Sequence, residues 1–330
     1  MLGFSTSALT IVSSYLSNRI QYVYHKGHKS FEYTMKSGVS QGSNLGPLLY
    51  ILDINDLLNY LSFHVLAYAD YIKLYSNIKS NSDVINLQNN LDTITNWCSK
   101  NSLCLNINKC SVVTYSRLKM MHASLYCIEG SLVRSEKCVE DLGVTFDSQL
   151  RFSEHIERIC VSASKALGFI IRVTREFTDL STIKLLFQSL ILSKLEYAVL
   201  IWYPICNLHV NNINRIMRKF MKYLSYKIDN IYPVRGYSTE DLLLRHNLDS
   251  LNIRRHRICA KFMFNLVHYK IDCSELLAKI PFNIPRQNSR NVATFYLPPA
   301  KTNTLVRSSI SLMCKAADAI FVDIFSGQCK

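Results

Sequence analysis

The eleven cysteines of this 330-residue chain include no Cys-x-x-Cys pair. Cys98, Cys104 and Cys110 stand six residues apart, too wide for a zinc knuckle. The nine histidines form no His-Glu-x-x-His pattern, and His25 and His28 lack cysteines nearby. These absences exclude the common zinc cages. Scattered cysteines, odd in number, read instead as reduced thiols of an intracellular protein, behaving as small buried hydrophobes. A secretory signal is missing too, because no basic n-region opens the chain and Ser5, Ser7, Ser13 and Ser14 interrupt its first apolar stretch. The most apolar later run, Leu195 to Cys206, contains Glu196 and Pro204, is too short for a membrane span, and reads as a core helix. The expectation is an intracellular protein, nuclear or cytoplasmic, with no transmembrane segment.

Acidic residues are scarce, 24 against 38 lysines and arginines, and the imbalance is confined to one part of the chain. Residues 1–150 hold 12 basic and 11 acidic side chains, net +1, whereas residues 151–330 hold 26 and 13, net +13. A neutral first part and a basic second part assign contact with a polyanion to the second. The 48% apolar content supplies buried cores, which excludes global disorder, and the length suits about two domains.

Ser37-Gly38-Val39-Ser40-Gln41-Gly42-Ser43 opens an apolar segment in which Leu45, Leu48, Leu49, Leu52 and Leu57 recur at helical spacing up to Leu61. Ser43 is the expected N-cap, and Pro47 falls in the first turn, where a missing N–H costs nothing. Val65, Ala67, Ile72 and Leu74 then alternate around Asp70, which predicts a hairpin with one carboxylate at its tip. From Asn81 to Lys100, Val84, Leu87, Leu91, Ile94 and Trp97 predict a helix with Asp83 at its positive end. Strands are expected at Leu103–Ile107, at Val112–Tyr115, in a hairpin about Glu129-Gly130-Ser131, and over Val139–Phe146.

Beyond Ser153 the pattern predicts helices only. The first, to about Arg175, sets Ile156, Ile159, Ala163, Ala166 and Ile170 on one side and His155, Arg158, Lys165 and Arg172 on the other. Thr182–Leu200 and Val210–Leu224 follow, the latter carrying Arg215, Arg218, Lys219 and Lys222, and then Ser238–His246 and Ser250–Tyr269 after a Pro233–Tyr237 break. The basic stripes read either as surfaces that track a nucleic-acid backbone or as solvated faces. Arg254-Arg255-His256-Arg257 reads as a nucleic-acid contact, a nuclear address or a solvated cluster. Residues Pro281 to Thr304, with four prolines, read as an extended arm.

The order of Gly-rich turn, amphipathic helix and Asp hairpin resembles the reverse transcriptases of non-LTR retrotransposons, in their Jockey-like branch. That family's turn reads Gly-Val-Pro-Gln-Gly-Ser followed by Leu-Gly-Pro, matched here by Gly38 to Ser43 and Leu45-Gly46-Pro47, with Ser40 in the proline position. Its hairpin reads Phe or Tyr, Ala, Asp, Asp, matched by Tyr68, Ala69 and Asp70, with Tyr71 replacing the second acid. Leu103, Leu105, Asn106 and Lys109 match its Leu-x-Leu-Asn-x-x-Lys element, and the resemblance spans nearly all of the chain. It implies an RNA-directed DNA polymerase, a nucleotidyltransferase encoded by a transposable element, acting through magnesium held in part by Asp70. It also implies Lys109 near the triphosphate, and Gly38, Gln41 and Gly42 close to template and nucleotide. An RNA template, a DNA primer or RNA–DNA hybrid, and dNTP are the implied partners.

The fold expected is therefore α+β: a partial right-hand polymerase palm of hairpin sheet packed on helices over 1–150, a basic thumb-like helical region over 151–232, and a C-terminal helical tail with a proline-bearing arm over 233–330. The family's fingers and its first palm acid, within an Ala-Phe-Asp strand, are expected to lie outside this truncated chain. A two-ion site needs several oxygen ligands at one place, so the chain alone is expected to be inactive. The alternative is a non-catalytic nucleic-acid-binding protein using Arg158, Lys165, Arg172, Arg215, Arg218 and Lys219. A third reading is the relic of a decayed element whose exposed apolar faces favour aggregation.

Overall fold

The computed structural model describes residues 4–35, 38–61, 64–116, 125–204, 206–234, 236–283, 293–297, 299, 308–326 and 328–329. The architecture is α+β, with helices accompanied by short two-stranded pairings, six antiparallel and one parallel among the described residues. Two compact units emerge, one of Met1–Thr114 with Leu118–Glu136, the other of Tyr115–Arg117 with Lys137–Lys330.

In the first unit, α1 (Thr6–Leu16) is capped by Ser5, whose hydroxyl accepts from Ala8 N at 3.3 Å, yet none of its residues is buried. Two nested hairpins follow: β1 (Ile20–Gln21) pairs with β4 (Tyr33–Thr34), and β2 (Tyr24–His25) with β3 (His28–Lys29). Helix α2 (Leu45–Leu58) and the hairpin β5 (His64–Tyr68) and β6 (Tyr71–Tyr75) come next. Helix α3 (Asn81–Lys100) then packs with both.

The start of α3 has a capping box. Asp83 accepts from the Lys79 and Ser80 amides at 2.9 and 2.8 Å, which holds its carboxyl below the usual range. Ile54 and Leu57 of α2 bury against Ile94, Trp97 and Cys98 of α3, with Ile72 and Leu74 of β6 beside them. The hairpin therefore points one face at the core, as alternation requires.

The leucine stripe of α2 is only half used. Leu57 is fully buried, but Leu48 and Ile51 are each 52% exposed, so one flank of this helix has no apolar cover among the described residues. The strand expected at Leu103–Ile107 is absent. Those residues lead without regular structure into a 3₁₀ turn at Ile107–Lys109, and their alternation reflects side chains entering two cores without a ladder partner. Strand β7 (Ser111–Val112) pairs in parallel with β10 (Arg134–Ser135), while β8 (Cys127–Ile128) and β9 (Ser131–Leu132) form the expected hairpin around Glu129 and Gly130.

In the second unit, the single strand expected over Val139–Phe146 is a hairpin, β11 (Cys138–Asp141) and β12 (Val144–Asp147). Leu142 and Gly143 both take positive φ, 45° and 80°, which turns the chain back. Val144 and Phe152 enter the core of α4 (Ser153–Val173). The helix expected over Thr182–Leu200 is α5 (Leu180–Phe187), a π turn at Gln188–Leu192, α6 (Ser193–Glu196) and α7 (Val199–Trp202). It breaks where Ala198 takes φ 51° and Trp202 Nε1 donates to Tyr197 O at 2.8 Å. The Leu195–Cys206 run is core as expected, with Leu195, Val199 and Trp202 fully buried, though not one helix.

Helix α8 (Asn207–Asp229) crosses this core, and Phe187 stacks on Phe220 with ring centroids 3.7 Å apart and planes 1° from parallel. Burying each such ring is worth about 1.5–3 kcal/mol. Helices α9 (Thr239–Arg245), α10 (Leu251–Val267) and α11 (Ser274–Leu277) continue the chain. A second core joins α10 to α12 (Ser309–Ile320) through Cys259, Met263, Cys314 and Ala317. The all-helical expectation ends at β13 (Phe321–Asp323) and β14 (Gln328–Cys329). Most of the predicted proline arm lies outside the described residues. Among the described residues, no helix is long and apolar enough to cross a membrane.

Candidate functional site

The turn before α2 is shaped by Gly38 and Gly42, with φ of 79° and 78°, values that L side chains rarely adopt. Ser43 closes it: its hydroxyl donates to Ser40 O at 2.8 Å and accepts from Gly46 N at 3.0 Å, but the N-cap of α2 is Asn44, one residue later than expected, and its side chain makes no capping bond. Gly46 is buried beneath this turn. Arg19 holds the same turn from the β1 side, donating to Gly38 O, to Ser40 Oγ at 3.4 Å and to Leu16 O at 3.2 Å. Ser40, in the position of a proline, thus provides a side-chain acceptor that proline could not. Gln41 is exposed on the turn, and Ser37 lies outside the described residues.

Asp70 sits at the tip of β5–β6, where Tyr68 pairs with Tyr71 and Ala69 takes φ 50°. The hairpin face turned from the core carries His64, Leu66, Tyr68, Tyr71 and Tyr75, and His64 stacks on Tyr75 at 5.3 Å. Tyr50 on α2 packs against the core of Ile54, Leu57 and Trp97. Burial, and then the charge of Asp70 ahead of that of Asp53, pushes its phenol above the ordinary value.

A catalytic magnesium ion needs several converging oxygen ligands. Among the described residues, no three His, Cys, Asp or Glu side chains form a group that could hold one. Asp70 is an exposed carboxylate at a turn, and Tyr71 contributes a phenol where a second acid would stand. The residues described do not fit such an ion by themselves. Lys109, exposed, closes the 3₁₀ turn through its amide to Asn106 O at 2.9 Å.

In the helical unit the basic residues divide by role. Lys165 and Arg172 of α4, and Arg215 and Lys219 of α8, are exposed. Arg158 is engaged: it pairs with Glu140 at 2.8 Å and donates to Gly143 O at 3.0 Å, so it fastens the β11–β12 hairpin to α4. Arg218 donates to Thr239 Oγ1 at 2.7 Å. His155, expected on the basic face, is buried instead, its ring 5.3 Å from Trp202 and its Nδ1 accepting from Thr145 N at 3.3 Å. It lies next to Ile156, at the edge of the apolar stripe, and Trp202 covers it.

The Arg254–Arg257 run is not a free basic cluster. Arg254 pairs with Glu196, Arg257 with Asp249, His256 meets Asn252 O at 2.8 Å, and Arg255 is buried. Reading the sequence missed Arg19 and Tyr50, which carried no pattern of their own. The packing role of Gly46 was missed as well, although a glycine inside a helical run is a signal of a packing or functional reason.

Residues 2–146 match the family described as reverse transcriptase (RNA-dependent DNA polymerase). The chain is 28% identical over 262 residues to a probable RNA-directed DNA polymerase from transposon BS of Drosophila melanogaster, covering 74% of this chain and 28% of that protein. It is 29% identical over 165 residues to the RNA-directed DNA polymerase from mobile element jockey of the same fly, covering 47% of this chain and 18% of that one. A probable RNA-directed DNA polymerase from transposon X-element is 25% identical over 223 residues, covering 65% and 24%. The chain thus spans less than a third of the length of these relatives. Residues 2–146 are thus similar to reverse transcriptases, and the chain to RNA-directed DNA polymerases of transposons and the mobile element jockey.

Proposed function

We propose that the chain carries the later part of a reverse transcriptase palm over residues 1–150, a thumb-like helical region over 151–232 and a helical tail over 233–330, and that it does not synthesise DNA by itself. The observation that carries this reading is the hairpin tip, where Asp70 stands beside Tyr71 rather than beside a second acid. Nucleotidyl transfer through two hard cations needs more oxygen ligands than this tip offers. The turn at Gly38–Ser43 leaves backbone unobstructed by Cβ atoms at Gly38 and Gly42, which suits close approach of a template or nucleotide. In this reading Gln41 faces that ligand and Lys109 lies near its phosphates.

The test is primer extension on an RNA template with magnesium or manganese, comparing the chain with its Asp70→Ala variant. No incorporation above background is expected from either. Incorporation that disappears in the variant would overturn the claim of inactivity.

A second reading, a non-catalytic nucleic-acid-binding protein, is favoured by the exposure of Lys165, Arg172, Arg215 and Lys219 on α4 and α8. If about six phosphates of a single strand are neutralised, log affinity falls against log salt with a slope near −4. An affinity independent of salt would remove this reading.

A further inference from the structure

Two adjacent arginines on α10 differ in one respect. Arg254 sets Nε and Nη2 against the two carboxylate oxygens of Glu196, the Nη2–Oε2 contact being 2.9 Å. Arg255, only 2% exposed, has the same two nitrogens buried and without a hydrogen-bond partner among the described residues. Nε–H and Nη2–H point from one edge of the guanidinium, the edge that receives two oxygens of a carboxylate or phosphate side by side. A buried cation with its donors unmet is costly, because the desolvation penalty is not returned by any partner.

Among the described residues no carboxylate hydrogen-bonds to Nε or Nη2 of Arg255. The charge of Glu196 reaches Arg255, but both of its carboxylate oxygens are taken by Arg254. Cys160 and Cys259 lie near enough to interact with Arg255, but burial pushes each thiol up to about 11, so neither is a thiolate at neutral pH. Tyr203, also beside it, has its phenol raised by burial. Arg255 lines a cavity of about 270 Å³ with Tyr203, Asn207, Asn214, Asn252 and Leu312, and none of the described lining residues is acidic. That volume is near the lower end of small-molecule pockets, which begin at about 300 Å³.

We propose that this cavity binds a small phosphate-bearing ligand, inorganic phosphate or a nucleoside monophosphate, with the Arg255 guanidinium as its anchor. A carboxylate has two oxygens, which one arginine edge satisfies. A phosphate has further oxygens to meet, and the carboxamides of Asn207, Asn214 and Asn252 provide the surplus donors, the Tyr203 hydroxyl already donating to Asn252 Oδ1 at 3.1 Å. The inference stands apart from the polymerase reading, since it rests on one buried cation and the cavity beside it.

Calorimetric titration of the full chain with inorganic phosphate, adenosine monophosphate and acetate, at ionic strength matched with chloride, tests it. Saturable one-to-one binding of a phosphate ligand is expected, with a matching rise in melting temperature. Arg255→Met and Asn214→Leu should each weaken that binding by about tenfold or more. If the methionine variant does not fold, the leucine variant decides alone. Tighter binding of the nucleotide identifies it as the source of the phosphate, and equal binding identifies the free anion. The proposal is overturned if neither phosphate ligand binds below about 10 mM, if acetate binds as well as phosphate, or if every folded variant binds unchanged.

Discussion

Gly46 lies so close to Ser43 that a Cβ on residue 46 would stand 2.8 Å from the Ser43 hydroxyl oxygen, and it would also stand 3.1 Å from Ser40 O. Both oxygens belong to the bonds that close the turn, so neither can retreat without breaking one. Gly46→Ala should therefore destabilise the first unit by about 1–3 kcal/mol, the usual cost of overpacking. Urea denaturation followed by far-ultraviolet circular dichroism measures it. Adding Ser43→Ala should cost less in the Gly46→Ala background than alone, because the bonds that close the turn are already disturbed.

Ala69 holds φ 50° at the hairpin tip, a left-handed conformation that places its Cβ too near the following carbonyl. Ala69→Gly should stabilise the hairpin by roughly 0.5–1 kcal/mol, relief of strain outweighing the added freedom of the unfolded chain. An unchanged or lowered urea midpoint would refute this.

Burial lowers the pKa of both His155 and His246 in the fold from the ordinary 6.5. Arg158 pushes His155 in the same direction and Glu140 opposes; Lys184 and Arg245 do so for His246, with Asp229 opposing. Below pH 6.5 the unfolded chain takes up protons that the folded chain refuses. The stability of these neutral rings is thus complete above that pH and lost as pH falls. The helical unit should lose denaturant resistance as pH falls through and below 6.5, and His155→Gln with His246→Gln should flatten the dependence. Asp83 and Asp179 hold depressed values, so their contributions disappear only on acidification below the ordinary 3.8 and leave this window clear.

Charge reversal separates the two kinds of basic residue. Lys165→Glu and Arg172→Glu should each weaken single-stranded nucleic-acid binding and reduce the salt slope by about 0.7 for every phosphate no longer neutralised, without changing the melting temperature. Arg158→Glu should instead lower the melting temperature, since that side chain joins Glu140 and Gly143 O of the β11–β12 hairpin to α4. Equal effects from all three on binding alone would contradict this division. A filter-binding series at several salt concentrations, paired with thermal melts, gives both readouts.

Local chemistry made much of the fold legible. The acidic Asp83 at the start of α3, the Glu129-Gly130 turn and the alternation around Asp70 each rest on neighbours within a few residues, and each formed where the pattern placed it. Patterns failed where a distant partner decided. Leu103–Ile107 alternates like a strand but has no ladder, Trp202 draws His155 into the core, and Glu196 and Asp249 take two arginines of a run that reads as free charge. At the hairpin tip the carboxylate was legible from its motif, whereas the influence of Tyr50 and the grip of Arg19 depend on tertiary placement alone.

The helix at Thr6–Leu16 contributes no buried side chain, so water, rather than a neighbouring element, is its main environment. Eleven residues are marginal for an autonomous helix, because one costly nucleus must be offset by few propagating bonds. Its backbone amides should accordingly exchange with deuterium in seconds, long before those of α8. Protease nicking should begin there as well, well ahead of global unfolding.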